Sequence, residues 1–147
     1  MADQVFNIAK GAAAEKVRDG ATVLIVLLMQ ANEAETTLLD RTDLADLFVE
    51  AGNTEATFTN YARKTGLTAT LTVDNTNDRV DLDLPDQTFV AAGNGTNNTL
   101  TKLIVAYEEA AADATRIPLT HHDFSVTTDG SDLTAQFNAA GFFRAQN

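Results

Sequence analysis

The sequence contains no cysteine, which excludes disulfide bonds, thiolate catalysis and zinc sites with cysteine ligands. Histidine and serine occur only twice each, so few residues are available to form a catalytic dyad or triad. Neither Ser125 nor Ser131 lies in a nucleophile elbow or a triad motif. We therefore expect a protein without enzymatic activity.

Long apolar runs are also missing. The most apolar stretch, residues 23–29, is far shorter than the ~20 residues that a transmembrane helix requires. Asp3 stands near the N-terminus, where a signal peptide would carry positive charge. We therefore expect a soluble protein that is made in the cytosol and has no membrane partner.

Basic residues are scarce. Ten Lys and Arg against 21 Asp and Glu give a formal net charge of −11 at pH 7. Such a charge repels nucleic acid and anionic lipid, so a partner is expected to be a protein, a metal ion or a sugar. The hydrophobic content of 44% excludes a disordered tail, and the length of 147 residues predicts a single domain, residues 1–147.

What the sequence does contain is a strong alternation of apolar and polar residues over residues 67–90. Apolar residues occupy every second position on both sides of the polar run 74–78: Leu67, Ala69, Leu71 and Val73 before it, and Val80, Leu82 and Leu84 after it. This pattern predicts two half-buried strands joined as a hairpin. The solvent-exposed face of the hairpin is expected to carry threonine on one strand and aspartate on the other.

Two further stretches, residues 22–29 and 99–107, are apolar enough to predict central strands covered on both faces. A buried helix is the alternative for residues 22–29. Residues 5–8 predict a short edge strand, and residues 12–18 contain good helix formers. Residues 123–138 predict a final hairpin that turns at Asp129 and Gly130.

One helix is predicted clearly, over residues 40–52. Its apolar stripe consists of Leu44, Leu47, Phe48 and Ala51. Asp40 or Thr42 is expected to cap its N-terminus, and Gly52 is expected to end it in a left-handed conformation. Together these patterns predict a mainly β (α+β) protein, an antiparallel β-sandwich or barrel-like module with one helix at about residues 40–52.

The two histidines are adjacent to an aspartate. His121, His122 and Asp123 could only form a metal site if their side chains converged, but neighbouring side chains on a strand diverge. We therefore expect these residues to form a turn that leads into the last hairpin.

Two acidic loops are candidates for calcium binding. Residues 74–78 (DNTND) resemble the start of an EF-hand loop, but Arg79 and Pro85 replace the glycine and glutamate that the motif requires. A calcium site of another type at residues 74–78 or 129–132 stays an alternative. Neither a metal nor a cofactor is expected.

Some apolar and basic residues have no expected contact within a single folded chain. Phe142 and Phe143 are adjacent, so on a strand their rings point to opposite faces and one stays exposed unless another subunit covers it. Arg63 and Lys64 form the only adjacent basic pair in the sequence. We predict these four residues and Arg144 as protein contacts. Removal of the residues after Ala140 is therefore expected to weaken assembly while leaving the fold largely intact.

Six blocks spread over the chain resemble one known group of proteins. The blocks are FNIAKG, ATFTNYARKT, DNTNDRVDLDLPDQTF, GTNNTLTKLIVAY, IPLTHHDFSVTTDGSDLTAQ and AAGFFRA. As a set they resemble small structural proteins that are encoded among the head and tail genes of tailed bacteriophages, notably those of actinobacteria. The resemblance spans Val5 to Ala145, and its most specific part is the ending GSDLTAQ to AAGFFRA.

This resemblance implies a non-enzymatic virion structural protein, in the first place a capsid decoration or minor capsid protein that binds and stabilises the outside of the head. The implied partners are the major capsid protein and further copies of the chain, with a trimer as the expected homo-oligomer. The implied location is the virion, assembled in the host cytoplasm. Two alternatives are a tail or head–tail junction component and a β-sandwich module that binds calcium or sugar.

Overall fold

The computed structural model describes residues 4–6 and 23–146. Within these residues the chain is mostly β-strand with few helical residues, and its antiparallel sheets do not close into a barrel. The predicted mainly β, α+β class is therefore confirmed, whereas the barrel-like form is not found. The helix predicted at residues 12–18 lies outside the described residues.

Eleven strands are present in the described part of the chain. They are β1 (Gln4–Val5), β2 (Leu24–Ala31), β3 (Thr54–Glu55), β4 (Lys64–Leu67), β5 (Thr70–Asp74), β6 (Arg79–Asp83), β7 (Gln87–Phe89), β8 (Thr99–Glu108), β9 (Arg116–Thr127), β10 (Leu133–Ala135) and β11 (Phe143–Gln146). The main sheet has the order β1-β9-β8-β2-β3, and β4 also pairs with β2. Two small sheets have the orders β10-β7 and β11-β6-β5.

β2 and β8 form the centre of the main sheet, as their apolar composition predicts. β2 pairs with β8 on one side and with β3 and β4 on the other. Residues 24–29 are fully buried, so both faces of β2 are covered. The strands predicted at residues 22–29 and 99–107 are therefore confirmed, and the alternative of a buried helix is wrong. The edge strand predicted at residues 5–8 is found only in part: β1 includes Val5 but not Phe6, and residues 7 and 8 lie outside the described residues.

The helices differ from the prediction in number and in length. Helix α1 (Glu35–Leu38) was not expected, and helix α2 (Leu44–Val49) covers only the middle of the predicted residues 40–52. The cap of α2 is Asp43, whose Oδ1 accepts the Asp46 N–H at 2.8 Å, instead of Asp40 or Thr42.

The C-terminal end of α2 also differs from the prediction. The chain becomes extended at Glu50, and Gly52 does not adopt a left-handed conformation. The side-chain amide of Asn53 instead donates to the Leu47 carbonyl at 2.9 Å, while its Oδ1 accepts the Glu33 N–H at 2.9 Å. The buried side-chain amide of Asn53 therefore provides the hydrogen bond to a C-terminal carbonyl of α2 that a glycine cap was expected to provide.

Of the two predicted hairpins one is confirmed. β5 and β6 pair antiparallel around residues 75–78, with Leu71 opposite Leu82 and Val73 opposite Val80. The start of the predicted hairpin is nevertheless a separate strand, since β4 joins the main sheet. The prediction of a hairpin at residues 123–138 is wrong, because β9 pairs with β8 and β10 pairs with β7.

The main sheet is the middle of three layers. Residues opposite each other on neighbouring strands share a face, so Lys102 and Asp123 lie on one face, and Leu103 and His122 lie on the other. Helices cover the first face, since Lys102 contacts Glu35 of α1 and α2 packs against β9. The small sheets cover the second face and share one buried core cluster with the main sheet.

Candidate functional site

Arg63 is held inside the chain by two carboxylates. Its Nε donates to Glu55 Oε1 at 2.7 Å, its Nη1 donates to Asp113 Oδ1 at 2.5 Å, and its guanidinium carbon lies 5.6 Å from the centroid of the Phe48 ring. These hydrogen bonds raise the pKa of Arg63 and lower the pKa of Asp113 relative to their ordinary values. The contact of Arg63 with another protein stays a prediction, but its guanidinium already has partners in this chain.

Lys64 stands apart from that ion cluster. Its Nζ lies 4.8 Å from the centroid of the Phe89 ring, which contacts the rings of Phe58 and Tyr61. The cation over an aromatic face stabilises the position of the side chain. Lys64 remains partly exposed, so its amine is within reach of a neighbouring protein.

The predicted contact residues near the C-terminus lie in two different environments, the core and the surface. Phe142 is only 6% exposed, its N–H donates to the Leu82 carbonyl at 2.8 Å, and its ring centroid lies 6.4 Å from that of Phe137. Phe143 is partly exposed, and Arg144 Nε donates to Asp81 Oδ1 at 2.6 Å. Burial of Phe142 contradicts the expectation that the residues after Ala140 can be removed with the fold intact.

Gly141 allows the chain to enter β11. Its φ is +85°, and an added Cβ would lie 2.2 Å from the Leu82 carbonyl oxygen. Replacing Gly141 with alanine is therefore expected to lower the free energy of unfolding by at least about 2 kcal/mol, from backbone strain together with a clash against main chain. Urea denaturation followed by circular dichroism would measure the loss.

Gly66 provides the matched control for this prediction. Its φ is +67°, but an added Cβ would meet no atom within 4 Å. Gly66→Ala should cost only the conformational strain of about 1–2 kcal/mol. If Gly141→Ala were no more destabilising than Gly66→Ala, the close approach to Leu82 would not matter to the fold.

The sheet of β5, β6 and β11 has an apolar side that is partly exposed. We name this surface the apolar face; it consists of Leu71, Val73, Val80, Phe143 and Ala145, whereas Leu82 on the same side is buried in the core. Leu71 is 43% exposed and Val73 is 57% exposed, although the alternation of the sequence predicted a buried side for both. Exposed apolar residues that form a contiguous surface mark sites of protein contact.

The opposite face of the same sheet is polar and forms an open groove beside Thr70, Thr72 and three aspartates. Arg79 pairs with Asp74 at 3.1 Å and with Asp81 at 3.2 Å. Asp74 also accepts hydrogen bonds from Asn77, which lower the pKa of the Asp74 carboxyl. The Asp74 carboxylate of the candidate calcium loop at residues 74–78 is therefore engaged by its own turn and by Arg79.

The second candidate calcium loop is engaged in a similar way. Asp129 accepts the Ser131 N–H at 2.9 Å, and Asp132 accepts the Ala91 N–H at 2.8 Å. These bonds are typical of aspartates that stabilise turns. Among the residues that the structure describes, no three His, Asp or Glu side chains stand together in a way that could hold a metal ion.

His121, His122 and Asp123 lie within β9, so the prediction of a turn at these residues is wrong. Pairing with β8 continues the strand through all three. His121 and Asp123 lie on the helix-covered face, and Asp123 contacts the amine of Lys102. His122 lies on the other face, with Nε2 at 3.0 Å from Thr120 Oγ1.

His121 is an unusual buried polar residue. It is 0% exposed, its ring contacts Phe6 edge-on at 5.6 Å, and neither ring nitrogen has a hydrogen-bond partner. Burial, assisted by the charge of Lys102, lowers the pKa of His121 below its ordinary value. The imidazole is therefore neutral at physiological pH.

A partly open pocket lies beside β9 and the chain that leads to β11. Its volume is about 200 Å³, and its walls include Leu103, Phe124, Phe137 and Phe142. Pockets for small-molecule ligands usually measure about 300–1,000 Å³. This pocket is thus smaller than a usual cofactor pocket.

Comparisons of the chain with family models, with curated proteins and with solved structures found no significant match. None of the helices that the structure describes is long and apolar enough to cross a membrane. The exposure of Leu71 and Val73 makes the apolar face our candidate site. The sequence showed its alternation but not its exposure, because alternation separates two faces without telling which one is covered.

Proposed function

We propose that the chain is a non-enzymatic structural protein of a tailed-phage virion that binds the outside of the head as a capsid decoration or minor capsid protein. The observation that carries this proposal is the apolar face, where Leu71 and Val73 are exposed although the chain otherwise places its large apolar residues mostly in one core. The resemblance from Val5 to Ala145 adds the virion as the location.

The arrangement of charged side chains supports a role in protein contact. Arg63, Arg79, Arg116 and Arg144 each pair with carboxylates of the same chain. Such pairs stiffen the surface, and in the part of the chain that the structure describes they engage these side chains with each other and not around a cavity that could bind a substrate. A rigid β module that buries matched surface needs only shape, apolar area and compatible charge.

The proposed partners are the major capsid protein and other copies of the chain. A net charge of −11 disfavours contact with packaged DNA and is compatible with the outside of a shell. On the apolar face the partly exposed ring of Phe143 would act as the aromatic anchor, since buried aromatic residues supply much of the binding energy of interfaces.

Binding to undecorated shells tests this proposal. Purified protein is mixed with expanded shells and, separately, with isolated tails, and the particles are imaged by cryo-electron microscopy. We expect density on the outer surface of the shell. Ala145→Asp, which puts a charge on the exposed rim of the apolar face, should weaken shell binding at least about tenfold.

Val90→Asp is the matched control, because Val90 is 64% exposed and lies outside the apolar face. It adds the same charge but should leave shell binding unchanged. Binding only to tails would favour the tail or junction component, and equal effects of both substitutions would remove the apolar face from the contact.

A further inference from the structure

The outer edge of β5 differs from the other strand edges of the described chain. β5 has five residues and lies at the edge of its sheet, whereas the outer strands β1, β3, β4, β7, β10 and β11 have two to four. Natural proteins usually protect such edges with lysine, proline or a bulge. β5 contains none of these, and Thr70, Leu71, Thr72 and Val73 are all exposed.

We propose that β5 pairs with β5 of a second copy, antiparallel and about a two-fold axis at Thr72. This register places Thr72 opposite Thr72 of the second copy, Leu71 opposite Val73, and Thr70 opposite Asp74. A two-fold contact requires such self-complementarity, because each residue meets the same surface that it presents.

The distribution of charge along β5 favours pairing of this edge with the same strand of a second copy. Asp74 is the only charged residue of β5, and its carboxylate is engaged by Asn77 and Arg79. In the proposed register each Asp74 meets a threonine, so no like charges face each other across the edge. Threonine pairs and aliphatic pairs are favourable cross-strand neighbours.

The pairing also extends the apolar face. Leu71 and Val73 of one copy would continue the row formed by Leu71 and Val73 of the other, and the two three-stranded sheets would become one sheet of six strands. The two apolar faces would then form a single surface that could meet the shell. A two-fold contact does not build a trimer by itself, so the expected trimer would need a different contact between subunits.

Charge substitutions at Thr72 test the pairing in solution. Thr72 lies on the polar face of the sheet and is exposed, so these changes do not touch the apolar face or the core. Sedimentation velocity of the wild-type chain over a concentration series should show a monomer–dimer equilibrium. Thr72→Lys and Thr72→Glu should each weaken dimerisation at least about tenfold, because two equal charges would meet at the axis.

An equimolar mixture of the two variants should restore the dimer as a heterodimer, since lysine would then face glutamate. Thr65→Lys, at an exposed threonine of β4, is the control and should dimerise as well as the wild type. A monomeric wild type, a Thr72→Lys variant that dimerises normally, or a mixture without recovery would each overturn the pairing. Shell binding is measured separately, so either result leaves the proposed function to its own test.

Discussion

Phe142→Ala is expected to lower the free energy of unfolding by about 3–5 kcal/mol, the usual cost of removing a buried phenylalanine ring. Phe142 is 6% exposed, contacts Phe137 and enters the core directly after Gly141. Loss of its ring would leave a cavity at the point where β11 joins β6. Urea denaturation monitored by circular dichroism measures the loss, and a reduced slope would indicate that β11 has detached.

The neighbouring ring is the control for this prediction. Phe143 is partly exposed on the apolar face, so Phe143→Ala should cost only about 1 kcal/mol of stability. It should instead weaken shell binding if the proposed function holds. Equal losses of stability would contradict the division of the two rings between core and surface. A stable Phe142→Ala variant that no longer bound shells would show that Phe142 itself contributes to the contact.

Stability is expected to fall as the pH drops below about 6.5, and His121 is expected to cause this early part of the loss. Burial lowers the pKa of His121 in the folded chain, whereas the unfolded chain has the ordinary value. Above the unfolded pKa both states hold a neutral ring, so His121 does not affect stability. Between the two pKa values only the unfolded state binds the proton, and stability falls by up to about 1.4 kcal/mol per pH unit.

The surroundings of His121 explain why the proton is poorly accepted. Lys102 on β8 and His122 on β9 disfavour a charge on the ring, while Glu35 on α1 and Asp123 on β9 favour it. Burial outweighs these opposing charges, because neither ring nitrogen has a hydrogen-bond partner that could stabilise the imidazolium.

His121→Leu separates this effect from the titration of carboxylates. The variant should lose the early fall of stability below about pH 6.5 while keeping the wild-type fold at neutral pH, since leucine removes a buried polar group without partners. Carboxyls with lowered pKa, such as Glu33 beside Arg41, destabilise the chain only at lower pH, and they should do so in both proteins. Parallel stability curves from pH 8 to 5 would show that His121 is not the group responsible.

Several elements of this fold could be predicted from the sequence because they depend on local patterns. The apolar runs at residues 22–29 and 99–107 became β2 and β8, since a strand covered on both faces needs apolar residues on both. The alternation around residues 74–78 became the β5–β6 hairpin, because its two strands are joined by a short turn.

The tertiary structure alone decided how the strands outside the β5–β6 hairpin pair and which surfaces are covered. β9 and β10 are neighbours in sequence, yet they pair with β8 and β7, because pairing depends on partners that no local pattern specifies. The exposure of the candidate site was also decided by the tertiary structure. Phe142 became buried while Leu71 and Val73 became exposed, since two-residue periodicity separates the faces of a strand but the packing of other elements determines which face meets water.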